Sequence, residues 1–397
     1  GPLARFPASP DAIIGAMQYR RFPKIPELEV SALGIGLMRL PTVDGDNARI
    51  DEAAADAALL AAVEEGVNYL DTAYPYHGGA SEKWLGAALG RHGLRDRVLV
   101  ATKSPVWLVK EPGDFERLLD EQLARLRTDH VDFYLLHALG AERWDNVLKN
   151  RGLEFLEKAR RDGRIRHAGF SFHDSLPVFK RVVDAWEGWE FCQVQYNYVD
   201  TSYQAGDEGI RYAAEREIGT IVMEPLRGGS LVRVPQGIRE IFAEYPKPRL
   251  PAEWALRFAL ERQEVGTVLS GMGSVDQVRE NAGVAEAARA NSMTRAELDL
   301  VERAAAFFRE RMPVPCTTCG YCMPCPHGVA IPDVFSTYNS GYAFDAKADR
   351  AGWYKFAYQG QGKGGDACVN CGECLPKCPQ GIPIPDKLAE AHGWLMS

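Results

Sequence analysis

The chain has 397 residues, 46% hydrophobic and 25% charged, with a formal net charge of -8 at pH 7. That length exceeds one ordinary domain and can bury a large core. An acidic balance without a basic stripe argues against nucleic acid as a partner, and no apolar run of about eighteen residues is present to span a membrane.

Gly1-Pro2 reads as a protease scar and Met17-Gln18-Tyr19-Arg20 as a natural start, so residues 1–16 are expected to be a tag or disordered extension. The segment lacks the basic, apolar and small-residue order of a secretory signal. From about Val30 to Gly283, short β-branched runs alternate with helical patterns. Strands are expected at Ala32–Leu37, Val67–Ala73, Val98–Lys103, Val131–His137, His167–Ser171, Phe191–Tyr196, Thr220–Glu224 and Gly266–Ser270. Amphipathic helices fall between them, among them Asp51–Glu65, Asp114–Leu126 and Gly152–Arg161. This is the rhythm of an α/β chain folded as a (β/α)8 TIM barrel over residues 17–312. A doubly wound open sheet is the alternative, weakened because no Gly-x-Gly-x-x-Gly opens a helix after the first strand. A last helix, Arg295–Arg311, leads to Met312-Pro313-Val314-Pro315, a stiff boundary.

Residues 313–397 differ in kind. Eight of the nine cysteines fall in two runs, Cys316-x2-Cys319-x2-Cys322-x2-Cys325-Pro326 and Cys368-x2-Cys371-x2-Cys374-x3-Cys378-Pro379. Each run is followed by a repeat: Cys325-Pro-His-Gly-Val-Ala-Ile-Pro-Asp333 matches Cys378-Pro-Gln-Gly-Ile-Pro-Ile-Pro-Asp386. Ile-Pro-Asp should open a helix in both copies, with Asp near the N-cap. Gly360–Gly365 reads as a flexible surface loop. Clustered thiols imply a reducing compartment, most simply the cytoplasm. The second run reproduces bacterial ferredoxin spacing, and the first is one residue short before Cys325. The resemblance implies a mostly helical ferredoxin-like unit with two 4Fe-4S clusters. One would sit on Cys316, Cys319, Cys322 and Cys378, the other on Cys368, Cys371, Cys374 and Cys325. A single cluster or a zinc site are the competing readings; zinc sites usually group cysteines in pairs.

Polar residues at the strand ends of such a barrel mark its site, because the βα loops build it there. Asp71 ends the second strand and Tyr76 follows it, Lys103 ends the third and His137 the fourth. On these four positions the chain resembles the aldo-keto reductase family, whose Asp, Tyr, Lys and His tetrad they match. The resemblance implies carbonyl reduction: Tyr76 donates a proton, Lys103 lowers its pKa, Asp71 holds Lys103, and His137 orients the substrate. It also implies a nicotinamide cofactor, NADPH or NADH. Gly36, Leu37 and Met38 would lie at the nicotinamide ribose, Ser171 and Gln193 at the carboxamide, and Met223 where many members stack an aromatic. Gly228 and Gly229 would let the backbone approach the pyrophosphate, and Ser270, Gln277, Glu280 and Asn281 would line the adenosine. Gly271 and Gln277 replace the Lys and Arg that often hold a 2′-phosphate, with Arg279 a substitute. Trp107 and Trp144 follow strands three and four as pocket or packing residues, His173 follows Ser171, and Cys192 reads as a buried small hydrophobe.

Hydride carries two electrons and each cubane one, and no flavin motif is visible to convert between them. Three functions therefore compete. The first is nicotinamide-dependent reduction of an aldehyde, ketone or sugar, with the clusters as electron port or brace. The second is a one-electron reductase fed by a ferredoxin-type carrier, with Tyr76 giving the proton. The third is a nucleotide-binding redox sensor, which would not require the tetrad.

Overall fold

The computed structural model describes residues 17–344 and 346–397; the extension expected over residues 1–16 lies outside the described residues. The chain opens with an antiparallel hairpin absent from the strand expectations, β1 (Tyr19–Phe22) and β2 (Ile25–Ser31). Its turn thrusts Phe22 into the floor of the following sheet. A Cβ on Gly266 would stand 1.6 Å from that ring and one on Gly219 would stand 2.6 Å away, so both positions need glycine.

Eight parallel strands then close a barrel. They are β3 (Leu33–Gly36), β4 (Tyr69–Asp71), β5 (Leu99–Ser104), β6 (Val131–Leu139), β7 (Ile165–Phe172), β8 (Phe191–Gln195), β9 (Gly219–Met223) and β10 (Val265–Ser270), with β10 pairing back onto β3. All eight expected strands are present. Covered on both faces, they are nearly continuous apolar runs rather than alternating ones. Tyr69, Phe133, Leu135, Phe191 and Ile221 fill the interior above Phe22. Fully burying a ring of that size stabilises by roughly 1.5–3 kcal/mol. The plug leaves the strand C-termini as the open end.

The outer helices carry their own stop and start signals. Asp51 caps Glu52–Glu64 by accepting from the Ala54 amide at 3.1 Å. Thr294 and Glu297 form a reciprocal capping box on Arg295–Arg311. Beyond Met312 the chain builds a second, smaller core. Helices Ile331–Ala343, Lys347–Ala357 and Ile384–Met396 surround Val314, Phe335, Tyr338, Tyr354, Leu388 and Leu395. The repeated Ile-Pro-Asp does open helices twice. The caps, however, are Ala330 and Pro383 without side-chain bonds, while Asp333 and Asp386 sit inside the first turn, where a carboxylate still suits the helix dipole. Only part of the glycine loop is exposed: Gly364 and Gly365 are buried, and the Gly365 amide donates to the Tyr354 hydroxyl at 2.8 Å.

This cysteine-bearing unit lies across the open end of the barrel. Gln380 donates to Gln195 at 2.8 Å and Gln204 to the Pro379 carbonyl at 2.6 Å, while Tyr203 bonds the Gln380 carbonyl. On the opposite rim Arg39 donates to the Thr317 carbonyl at 3.2 Å. The Gln380–Gln195 bond is fully buried, and a buried bond is costly to leave unmade.

Candidate active site and thiol clusters

Parallel pairing in register brings Asp71 and Lys103 to neighbouring strand ends. The Lys103 amine donates to Asp71 Oδ1 at 2.6 Å, to the Thr72 carbonyl at 2.9 Å and to the Tyr76 hydroxyl at 3.3 Å. Burial raises the Asp71 carboxyl and lowers the Lys103 amine, and their attraction opposes both shifts. The His137 ring meets that of Tyr76 edge-on at 6.1 Å. All four residues therefore converge. Burial holds His137 well below the ordinary histidine range, and the charges of Lys103 and Arg143 add to this, so its imidazole is neutral.

The expected acidification of Tyr76 is not met. Burial raises its phenol well above the usual value, and the neighbouring charges of Tyr321 and Asp71 add to this. The leading cause is burial, and Asp71, paired with Lys103 at 2.6 Å, brings its own negative charge beside the phenol. A phenol so held stays protonated and remains a donor to an alkoxide, which is far more basic.

Tyr321 is the site residue that the sequence reading missed. It comes from the cysteine unit, in Cys319-Gly320-Tyr321-Cys322, and its hydroxyl stands 3.0 Å from His137 Nε2. The signal was available: the second run has Cys371-Gly372-Glu373-Cys374, so a charged position in one copy is aromatic in the other. Trp107 lies 5.1 Å from the His137 ring, with Arg143 over its indole. Trp144 instead packs into the core against Trp189. His173, Arg143 and Tyr203 line a cavity of about 360 Å³ between the barrel loops and residues Pro376–Pro379 and Gly381.

The positions assigned to a nicotinamide cofactor divide. Gln193 is buried, reaches Asp71 at 3.5 Å, and leaves its Oε1 without a partner among the described residues. Such an orphaned acceptor fits a carboxamide NH2. Ser171 Oγ already accepts from the Ala138 amide at 2.7 Å. Leu37 turns into the core, while Gly36, Met38 and Met223 sit half-buried at the rim. Ser270 accepts from Asn281 at 3.0 Å, Gln277 accepts from the Gly273 amide at 2.9 Å, and Gln277 and Glu280 are exposed. Arg279 is exposed and stands 3.8 Å from Glu65. Gly229 is open, with nothing within 4 Å of where a Cβ would stand, but Gly228 is not. A Cβ there would stand 2.2 Å from the Thr317 carbonyl oxygen. The close approach expected of Gly228 toward a pyrophosphate is thus made to the cysteine unit, whose backbone crosses the turn.

The eight thiols interact in two sets. Burial pushes Cys316 up to about 11 and Cys319 up to about 12, with the charge of Cys378 adding to both. Cys322 is raised by burial and by Cys319, Cys316 and Cys378. Cys374 is raised by burial and by Cys368, Cys371 and Cys325. A second hollow is lined by Cys325, Cys368, Cys371 and Cys374 together with Cys322. Each set draws its fourth member from the other run. Among the described residues no three His, Cys, Asp or Glu side chains gather tightly enough for a single ion. Four thiols gathered round a hollow form a donor set that fits a multinuclear cation. Cys192 is apart from these, fully buried, its thiol pushed up to about 12 by burial.

The sequence model of the Aldo/keto reductase family matches residues 32–302, and that of a 4Fe-4S dicluster domain matches residues 315–382. L-galactose dehydrogenase of Arabidopsis thaliana is 30% identical over 300 residues, 69% of this chain and 90% of that protein. An aldo-keto reductase of Schizosaccharomyces pombe, yakc [NADP(+)], is 28% identical over 218 residues, 52% of this chain and 62% of that protein. Among solved structures, the holo form of aldo-keto reductase AKR11C1 from Bacillus halodurans superposes with TM-score 0.60 at 28% identity, covering 72% of this chain and 96% of that one.

Proposed function

The chain belongs to the aldo/keto reductase family, and we propose that it reduces the carbonyl of an aldehyde, ketone or sugar with NADPH or NADH. The observation that carries this reading is the Asp71–Lys103–Tyr76 chain at the barrel mouth, with neutral His137 beside it. Bound nicotinamide would supply the hydride. Tyr76 gives its proton to the oxygen as negative charge develops there, and Lys103, held by Asp71, stabilises the phenolate left behind. Gln193, with its unpaired oxygen, would hold the carboxamide. The NADP(+) in one relative's name favours the cofactor, and the L-galactose in another's favours a sugar or other hydroxylated carbonyl compound.

Residues 313–397 would carry two 4Fe-4S clusters, one on Cys316, Cys319, Cys322 and Cys378, the other on Cys368, Cys371, Cys374 and Cys325. Such clusters pass single electrons when they are redox-active. A second reading has them feed the substrate from a ferredoxin-type carrier. It is favoured by the backbone of Thr317 crossing Gly228, where a dinucleotide would pass.

One experiment separates the two. Anaerobically purified protein is assayed on a carbonyl panel with NADPH, NADH or dithionite, alongside Tyr76→Phe and Cys371→Ala. Nicotinamide oxidation lost in Tyr76→Phe and kept in Cys371→Ala supports hydride transfer with bracing clusters. Turnover that needs dithionite and disappears with the clusters supports the second reading, and sinks the first.

A further inference from the structure

Tyr321 reaches the site from a loop whose two flanking residues in the motif, Cys319 and Cys322, belong to one thiol set. Lys103 donates to the Tyr76 oxygen at 3.3 Å. His137 Nε2 is 3.0 Å from the Tyr321 oxygen. His137 Nδ1 is buried with no partner among the described residues. A proton on Nδ1 would therefore be an orphaned buried donor, the costlier kind of unpaired group. Neutral His137 accordingly carries its proton on Nε2 and donates it to Tyr321. A tyrosine oxygen accepts two hydrogen bonds and donates one. With His137 donating to its oxygen, the Tyr321 O–H has no acceptor among the described residues and is free to donate.

We propose that Tyr321 is a fifth catalytic residue, whose hydroxyl donates to the reacting oxygen beside Tyr76, with His137 positioning Tyr321 instead of touching substrate. The inference rests on the carbonyl reduction proposed above. In that step the carbonyl π bond breaks, the carbon gains hydride as NAD(P)H is oxidised, and the oxygen gains the Tyr76 proton. Tyr321 transfers no proton; it holds the oxygen as charge builds. Imidazole is poorly placed for that task here. Its Nε2 is taken, and the rings of Trp107, Tyr321 and Tyr76 crowd it at 5.1, 6.0 and 6.1 Å. Binding of a cluster by the thiols either side of Tyr321 would pin the phenol, so the cysteine unit completes the reductase site.

The test uses the cluster-loaded full chain and compares Tyr321→Phe, Tyr76→Phe and His137→Gln, reading kcat and KM separately with NADPH or NADH and, in parallel, with dithionite. Tyr321→Phe should lower kcat by about 100-fold, the usual loss for one oxyanion donor, with KM little changed and iron content intact. His137→Gln should lose less than Tyr321→Phe, because an amide N–H still donates to Tyr321. Unchanged kcat in Tyr321→Phe, a lower KM with faster turnover (a plug removed), or a larger loss in His137→Gln would each overturn the proposal. Turnover with dithionite alone would sink the nicotinamide reading, and the same comparison of variants would then decide Tyr321 in that regime. No turnover with either donor overturns both.

Discussion

Replacing Gly228 by alanine isolates the contact that joins the two units across the barrel mouth. Gly228 has φ +65°, and an added Cβ would meet the Thr317 oxygen at 2.2 Å and its carbonyl carbon at 3.0 Å. A carbon and an oxygen rest at roughly 3.3 Å, so backbone must move by about 1 Å. Overpacking of that kind costs about 1–3 kcal/mol, and left-handed backbone in a residue with a Cβ costs about 1–2 kcal/mol more. Gly229 is the internal control: its φ is +92° and nothing lies within 4 Å of its Cβ position. Gly229→Ala therefore bears only the backbone cost. The difference between the variants, about 1–3 kcal/mol, belongs to the seam. It should appear as earlier loss of iron–sulfur absorbance than of far-ultraviolet circular dichroism when Gly228→Ala is heated. Identical loss in the two alanine variants would show that Thr317 does not press on Gly228, and the argument for a crossed cofactor turn would fall with it.

Three further outcomes are expected. Burial opposes ionisation of Glu297, but bonds from Thr294 and from Arg249 at 2.5 Å outweigh it and hold the carboxyl at about 2 instead of 4.5. Its folded-state pKa is thus depressed. The stabilisation, about 3 kcal/mol at most, is complete above pH 4.5 and is lost as pH falls toward 2; Glu297→Gln should flatten the acid limb of a denaturation series, and an unchanged limb would refute the assignment. Cys378→Ser should strip about four iron atoms from the set of the first run and Cys325→Ser about four from the other; if both variants abolish the same paramagnetic resonance signal, the crossed sets are wrong. Asp71→Asn leaves Lys103 buried and unpaired, and should cost about 3–5 kcal/mol by chemical denaturation, largely recovered by Lys103→Met in the same chain. A single-variant loss no larger than that of a surface change would mean the pair is not buried as described.

The barrel was legible because its signals are local. A strand covered on both faces must be continuously apolar, and a strand end that carries Asp71, Lys103 or His137 breaks such a run visibly. The hairpin of Tyr19–Ser31 was not legible, since Arg20, Arg21, Lys24, Glu27 and Glu29 mask its apolar members, and Phe22 acquires its role only from the gaps at Gly219 and Gly266. Gly228 does make the close approach its sequence context suggests, but toward Thr317, about ninety residues away.

Spacing along the chain determined the periodic strands, the strand ends that carry the tetrad and the two cysteine runs, because each depends on neighbours a few residues off or on a repeating strand-and-helix unit. Tertiary structure alone decided how the cysteine unit sits on the barrel. It placed Tyr321 against His137, buried the Tyr76 phenol beside the Asp71–Lys103 pair, and laid Thr317 across the glycine turn. Those outcomes depend on burial and on the docking of distant surfaces, quantities that no local run of residues encodes.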